Sequence, residues 1–259
     1  MKKIYIHTDL EGCSGIGRGE MVEKHGMEYG YCVTRLMADV NAAVDGAIQG
    51  GADHVTVLDS HGGGGNFDMN LLDPRAEYDE KINKKWWGAL DESYWGCFFI
   101  GAHAMAGTLH GFLDHTQDSL RILNYYVNGR KLGELGQWAM VSGHFNVPML
   151  MACGDQCAVN EAAQFFGGVE TASVKTGISR MLARLAPLPE AEERIRQAAK
   201  RAVRMIERPA PFKPILPMEI KFDFTRADYC DGAVQNGGLE RLDARSARKV
   251  TDNYLDFWY

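Results

Sequence analysis

The sequence predicts an α/β fold, with a mostly parallel sheet and helices on both of its faces. Short apolar runs that suit buried strands alternate along the chain with longer segments of helical hydrophobic period. The first such unit has an apolar run at 4–6, an amphipathic stretch at 27–49 that ends in a Gly-Gly pair, and an apolar run at 54–59. This strand–helix–strand order is typical of a parallel sheet, because parallel neighbours need a crossover connection.

The middle of the chain extends this sheet and adds an antiparallel element. Further apolar runs lie at 97–101 and 147–152, with one helix-like segment between them and another after them. Asn128 and Gly129 follow an apolar run at 122–127 and accept positive φ, which predicts a hairpin with a primed turn. We therefore expect a β-hairpin inserted into the α/β fold.

The organisation changes in the last third of the chain. Six of the eight prolines lie between Pro187 and Pro217 and flank a helical apolar stripe at 190–206. A strand with alternating apolar and polar residues follows. We expect a catalytic α/β domain over residues 1–185 and a smaller C-terminal α+β subdomain over residues 186–259, packed on the first.

The composition excludes several classes of function. The net charge is −6 and the 28 basic residues are scattered, which argues against nucleic acid or an anionic membrane surface as a partner. No apolar run approaches the roughly 18 residues of a membrane helix, and no signal peptide is visible. The six cysteines lack the spacing of a secreted disulfide scaffold and are expected to be thiols. These features predict a soluble, cytoplasmic protein.

Potential metal ligands follow several of the predicted strands. Asp9 and Glu11 come directly after the first strand, whose two-residue period points both carboxylates to one side. His61 and His103 follow two further strands, and Glu134 lies just past the hairpin. Carboxylates and imidazoles delivered to the ends of separate strands are typical ligands of zinc or a similar divalent ion. The sequence therefore predicts a metal site.

Simpler interpretations exist for several of these features. A lone acidic residue is more often a cap or a loop carboxylate, and Glu134 also suits the first turn of a helix. The glycine-rich stretches after Gly12 and Gly62 match neither the dinucleotide pattern nor the P-loop pattern, so we reject a nucleotide site; the second stretch is expected to let a loop approach His61. The pair Trp86-Trp87 is typical of a core or an interface.

The order and separation of these motifs resemble the D-aminopeptidase family of binuclear zinc peptidases, of the dipeptide-transport-operon type. The resemblance is nearly full length. It runs through Asp9-x-Glu11-Gly12, Asp59-Ser60-His61, Gly101-x-His103-Ala104, His115, Gly133-Glu134-Leu135-Gly136, Val147-Pro148-x-Leu150-Met151 with Gly154-Asp155, and Val174-Lys175 with Ile178-Ser179-Arg180.

The resemblance implies a specific site, activity and assembly. The activity would be zinc-dependent hydrolysis of short peptides that releases N-terminal D-amino acids, with His115 as a catalytic group that is not a ligand. The assembly would be a homo-oligomer in the form of a decameric ring. The site would hold two zinc ions per subunit, with the ligands Asp9, Glu11, His61, His103 and Glu134.

Two positions differ from the family pattern. The family usually has Ser two positions before the first aspartate, where this chain has His7, on the same strand face as Asp9. His7 is expected to act as a hydrogen-bond donor behind the ligands, as an additional ligand or as a substrate contact. Asp114, directly before His115, is expected to raise the basicity of that imidazole.

The ligand set also suits hydrolysis on chemical grounds. Three carboxylates leave two zinc ions with one net positive charge, which a bridging hydroxide neutralises, and metal binding brings the pKa of water to about 7. Metal-bound hydroxide is thus the expected nucleophile, with Asp9 as the bridging carboxylate and His115 stabilising the oxyanion or protonating the leaving amine. Two alternatives stay open: a binuclear metal phosphoesterase or amidase, and a non-catalytic metal-dependent protein that binds small molecules.

Overall fold

The computed structural model describes residues 1–79 and 85–259. Its strands and helices alternate in the order that the hydrophobic pattern predicts. In chain order they are β1 (Lys3–Thr8), α1 (Tyr29–Gly50), β2 (His54–Leu58), β3 (Glu77–Asp79), β4 (Gly96–Ala102), β5 (Ile122–Val127), β6 (Arg130–Lys131), α2 (Glu134–His144), β7 (Met149–Asp155), α3 (Gln156–Phe166), β8 (Glu170–Ser179), β9 (Leu182–Leu185), α4 (Leu188–Arg204), β10 (Met218–Phe224), α5 (Ala227–Gly237), β11 (Glu240–Arg241) and β12 (Ser246–Thr251).

The larger sheet has seven strands in the order β3-β2-β1-β4-β7-β8-β9. All neighbouring pairs in it are parallel except β8 and β9, which are antiparallel. This confirms the predicted α/β fold with a mostly parallel sheet. Because β1 lies between β2 and β4, the segments that follow these three strands emerge side by side at one edge of the sheet.

Helices cover both faces of this sheet. Ile4 and Ile6 of β1 point into a core shared with α1 and α4, whereas Tyr5 points into a core shared with α2, α3 and the second sheet. The helices α1 and α4 approach so closely that a Cβ at Gly46 would lie 2.2 Å from the backbone oxygen of Arg196. Glycine is therefore required at that crossing.

The smaller sheet has five strands in the order β11-β12-β10-β5-β6. Its hairpin β5–β6 turns at Asn128 and Gly129 with φ values of 50° and 76°, which confirms the predicted primed turn. The hairpin pairs antiparallel with β10, so two distant parts of the chain build this sheet. The division of the chain into domains at residue 185 stays a prediction.

Three further observations concern the cysteines, the length and character of the helices, and the start of α2. All six cysteines are free thiols, as expected. Among the described residues, no helix combines the length and the apolar character that crossing a membrane requires. The helix-like segment predicted between the apolar runs at 97–101 and 147–152 is α2, which begins at Glu134. Glu134 therefore occupies the first turn of α2.

Candidate metal centre

A turn after β1 carries the first two predicted ligands. β1 ends at Thr8, and Asp9 and Glu11 lie in the turn that follows it. The turn therefore brings the two carboxylates together, and not the two-residue period of a strand, as the sequence suggested. The backbone N–H of Gly12 donates to the carbonyl of Gly101 at 2.8 Å. A Cβ at Gly12 would lie 2.0 Å from the backbone oxygen of Ala102, so only glycine permits this close approach to β4.

His61 joins these two carboxylates from the end of β2. Its Nδ1 lies 2.8 Å from Oδ1 of Asp9 and 3.1 Å from Oε2 of Glu11. One potential ligand atom from each of the three residues lies within 4.8 Å of the others, and we call these residues the first ligand group. Gly62 and Gly63, both at positive φ, continue the chain along the site, as expected for the glycine-rich segment.

A second ligand group consists of His103, His115 and Glu134, whose potential ligand atoms also lie within 4.8 Å of one another. Nε2 of His103 lies 3.4 Å from Oε1 of Glu134, and Nε2 of His115 lies 3.6 Å from the same oxygen. The two oxygens of Asp9 face different groups, since Oδ2 lies 3.2 Å from Nε2 of His103 while Oδ1 faces His61. Asp9 thus occupies the position between the groups that a bridging carboxylate needs.

Backbone carbonyls orient the two imidazoles of the second group. Nδ1 of His103 lies 3.1 Å from the carbonyl oxygen of Ala104, and Nδ1 of His115 lies 2.7 Å from that of Leu113. With Nδ1 assigned as the donor in each ring, Nε2 is the nitrogen that faces the site, and in the neutral imidazole that a metal needs it presents its lone pair there. The rings stack at 3.9 Å with an angle of 7° between their planes, which fixes both orientations.

Asp114 does not take part in this arrangement. Its carboxylate accepts a hydrogen bond from the N–H of Gly107 at 2.6 Å and forms an ion pair with Arg180 at 3.0 Å. The expectation that Asp114 raises the basicity of His115 therefore has no geometric support. Its ion pair instead ties the segment before His115 to the turn between β8 and β9.

Opposite charges shift the ionisation of the potential ligands. Burial alone would raise the pKa of Glu134, but His103 and His115 outweigh it and lower the pKa to about 2. Burial also opposes ionisation of Glu11, yet His61 and the other imidazoles hold its pKa well below the usual range. Burial would lower the pKa values of His61 and His103, whereas the facing carboxylates raise both well above the ordinary value. Carboxylates and imidazoles thus face one another as charged pairs without a metal.

The donor atoms fit divalent ions. Oε2 of Glu11 and Nε2 of His103 are buried and, although each lies within 3.2 Å of an oppositely charged side chain, neither makes a well-aligned hydrogen bond among the described residues. Such atoms are destabilising in a folded protein unless another group satisfies them. Carboxylate oxygens and imidazole nitrogens are the ligands that zinc accepts. The residues of the two groups therefore suit a metal centre.

The two groups border a cavity of about 260 Å³. Part of its wall is formed by His7 and Trp86. The ring of His7 stacks on Trp138 at 4.2 Å and meets the edges of Trp86 and Phe99 at 4.7 and 4.6 Å. His7 belongs to neither ligand group, so its place is in an aromatic wall beside the centre.

Sequence reasoning missed the roles of three residues in and around this site. Trp86, expected in a core or an interface, lines the cavity. The backbone N–H of Gln117, at a φ of 63°, donates to Oε1 of Glu134 at 2.7 Å. Lys175 lies behind the turn that carries Glu11. No local pattern marks these roles, because each depends on contacts between distant segments.

Comparisons with known proteins identify the family of this chain. A curated relative, the D-aminopeptidase of Bacillus subtilis (strain 168), is 34% identical over 181 residues, which cover 69% of this chain and 65% of the relative, just under two thirds of its length. A solved structure of a Zn-dependent D-aminopeptidase from Bacillus subtilis, DppA, described as a self-compartmentalizing protease, matches with a TM-score of 0.93 and 26% identity, covering 98% of this chain and 93% of that one. The family model for D-aminopeptidase matches residues 1–259. The chain therefore belongs to the D-aminopeptidase family.

Proposed function

We propose that this protein is a zinc-dependent aminopeptidase that releases N-terminal D-amino acids from short peptides. The observation that carries the proposal is the pair of ligand groups that meet at Asp9 and border one cavity. Family membership and the likeness to the zinc-dependent relative support both the metal and the preference for D-amino acids.

The proposed centre holds two zinc ions per subunit. Asp9, Glu11 and His61 would hold one ion, and His103 and Glu134 would hold the other, with Asp9 shared between them. Bound zinc would supply a Lewis acid and a water of lowered pKa, which provides a nucleophile at neutral pH. Buried ligand atoms that make no well-aligned hydrogen bond among the described residues support this assignment.

His115 is proposed as the catalytic residue that moves a proton. The carbonyl of Leu113 and the stacked ring of His103 hold its imidazole in place, and Nε2 points toward the cavity near Glu134. From that position Nε2 would take up the proton that the attacking water gives up and pass it to the nitrogen of the leaving amine as the peptide bond breaks. Proton transfer of this kind contributes typically about 10²–10⁴-fold to a rate.

The cavity and the surface support a short substrate and an oligomer. A volume of about 260 Å³ lies just below the usual range of about 300–1,000 Å³ for ligand pockets, which supports short peptides over long chains as substrates. The β8–β9 hairpin exposes the apolar side chains of Ile178, Met181 and Leu182. Such a patch suits contacts between subunits, so we include a homo-oligomeric ring, decameric as the family resemblance implies, in the proposal.

The free thiols fit a reducing compartment such as the cytoplasm.

A substrate panel tests this function. Zinc-loaded protein would be assayed with matched D- and L-aminoacyl dipeptides, a phosphomonoester and a simple amide. We expect release of the N-terminal residue from the D-peptides alone. Preferential cleavage of the phosphoester or the amide would instead indicate the other binuclear hydrolases, and peptide binding without turnover would indicate a binding protein.

A further inference from the structure

A buried lysine lies outside the metal centre and contacts the turn that carries Glu11. Lys175, on β8, has only 2% of its surface exposed. Its Nζ donates to the carbonyl oxygens of Glu11, Cys13 and Ile16 at 2.5, 2.8 and 2.8 Å. An ammonium group has three donors, so these three carbonyls satisfy all of them.

Burying an ammonium group is costly, so the arrangement calls for a specific reason. The three carbonyl oxygens compensate Lys175 with charge-assisted hydrogen bonds, and Nζ also lies 4.6 Å from the centre of the Phe112 ring. All three carbonyls come from one irregular segment, which belongs to no helix or strand. Residues 11–16 therefore surround Nζ with three carbonyl oxygens, much as a loop coordinates a bound cation.

The same segment also presents a ligand. The backbone oxygen of Glu11 faces Lys175, while its carboxylate faces His61 at 3.1 Å on the other side. Other bonds also hold this segment, since Gly12 donates to Gly101 and Ser14 donates to the buried carboxylate of Asp39. Lys175, however, binds the backbone oxygen of Glu11 itself and joins it to two further carbonyls of the same segment. Lys175 therefore helps to set the position of the Glu11 carboxylate.

We propose that Lys175 is a positioning residue that sets the turn carrying Glu11 and thereby the zinc affinity of the first ligand group. The inference rests on the proposed zinc function. Lys175 belongs to neither ligand group and does not line the cavity, so it acts through the backbone of the turn. Groups that orient metal ligands in this way typically change metal affinity by about 10–100-fold when they are removed.

A pair of lysine variants tests the proposal. Lys175→Met keeps an unbranched side chain but removes the ammonium, and we expect one of the two zinc ions to bind about 10–100-fold more weakly while the other binds as before. The matched control is Lys249→Met, because Nζ of Lys249 also contacts a backbone oxygen, that of Trp258, and a carboxylate, that of Asp256, but in the second sheet. Zinc affinity would be measured by competition with a chelator, on variants whose folding circular dichroism verifies.

Two results of the titration would overturn the proposal. One is a folded Lys175→Met protein that binds both zinc ions as the parent does. The other is an equal loss of affinity in Lys249→Met, which would show a general effect of destabilisation. A parent protein that binds no zinc would instead refute the proposed function.

Hydrogen exchange on the zinc-free parent protein and on zinc-free Lys175→Met gives an independent test. If Lys175 sets the turn, the amides of residues 10–16 exchange slowly in the parent before any zinc is added and faster in Lys175→Met; equal exchange in the two proteins would show that other bonds hold the turn and would overturn the proposal. Fast exchange that becomes slow only after zinc binding would show that the metal orders the turn, and would overturn the role of Lys175.

Discussion

Replacement of His115 by asparagine separates its proposed proton-transfer role from a role in holding metal. An asparagine amide can still donate to the carbonyl of Leu113, which the imidazole contacts at 2.7 Å, but it places no atom at the position of Nε2. The side chain of His115 is 14% exposed, so part of the vacated space is open to solvent. The variant should therefore fold and keep the proposed ligands in place.

The expected loss of rate follows from the role assigned to Nε2. A proton-transfer group typically contributes about 10²–10⁴-fold, which corresponds to about 3–5 kcal/mol of activation free energy. We expect His115→Asn to lower kcat by this factor on a D-aminoacyl dipeptide. Both zinc ions should remain, because Asp9, Glu11, His61, His103 and Glu134 are unchanged.

The assay measures kcat and the zinc content of the same sample, with His110→Asn as the matched control. Nδ1 of His110 also contacts a backbone carbonyl, that of Ile178 at 3.1 Å, but the ring is exposed and does not line the cavity. Asparagine tolerates the φ of 61° at that position. The control should keep full activity.

Two outcomes would refute this reasoning about His115. An unchanged kcat in the zinc-replete variant would show that no proton passes through its imidazole. The loss of one zinc ion would make His115 a ligand, as its place in the second ligand group geometrically allows.

Three further predictions concern the metal and the cavity wall. His103→Ala removes a proposed zinc ligand and should lower the zinc content and abolish turnover; a full metal content measured by elemental analysis would contradict the assignment. Because the facing carboxylates raise the pKa values of His61 and His103 without metal, zinc, which needs neutral imidazoles, should displace protons from these rings and bind more weakly as the pH falls. Calorimetry in buffers of different ionisation enthalpy measures this release, and its absence would contradict the charged pairs. His7→Ser removes a ring from the aromatic wall, and we expect a change of about 10–100-fold in substrate preference or zinc affinity with hydrolysis remaining. Complete loss of metal on titration would make His7 a ligand, whereas unchanged kinetics and affinity would make it a passive residue of the strand.

Local pattern and strand order explain what the sequence could predict. Apolar period identifies the strands before Asp9, His61 and His103, and parallel strands deliver the residues after them to one edge of the sheet. The sequence alone therefore predicts that these residues lie close together. The hairpin at Asn128 and Gly129 was equally predictable, because its turn depends on the φ preferences of two neighbouring residues.

Contacts between distant segments explain what the sequence could not predict. The turn that carries Glu11 is held by Lys175, which lies 164 positions away in the chain. Trp86 lines the cavity and packs on Trp138, and no spacing in the sequence predicts that contact. Asp114 pairs with Arg180, although its position beside His115 suggested a different partner.

Turnover as a function of zinc per subunit tests the central claim most directly. Metal-free protein would receive zinc stepwise while hydrolysis of a D-aminoacyl dipeptide is followed, with the L-isomer as the control. If both ligand groups serve one reaction, activity on the D-peptide rises until about two zinc ions are bound per subunit, and the L-peptide stays intact. Full activity without zinc, or no turnover of the D-peptide when both groups are filled, would contradict the account.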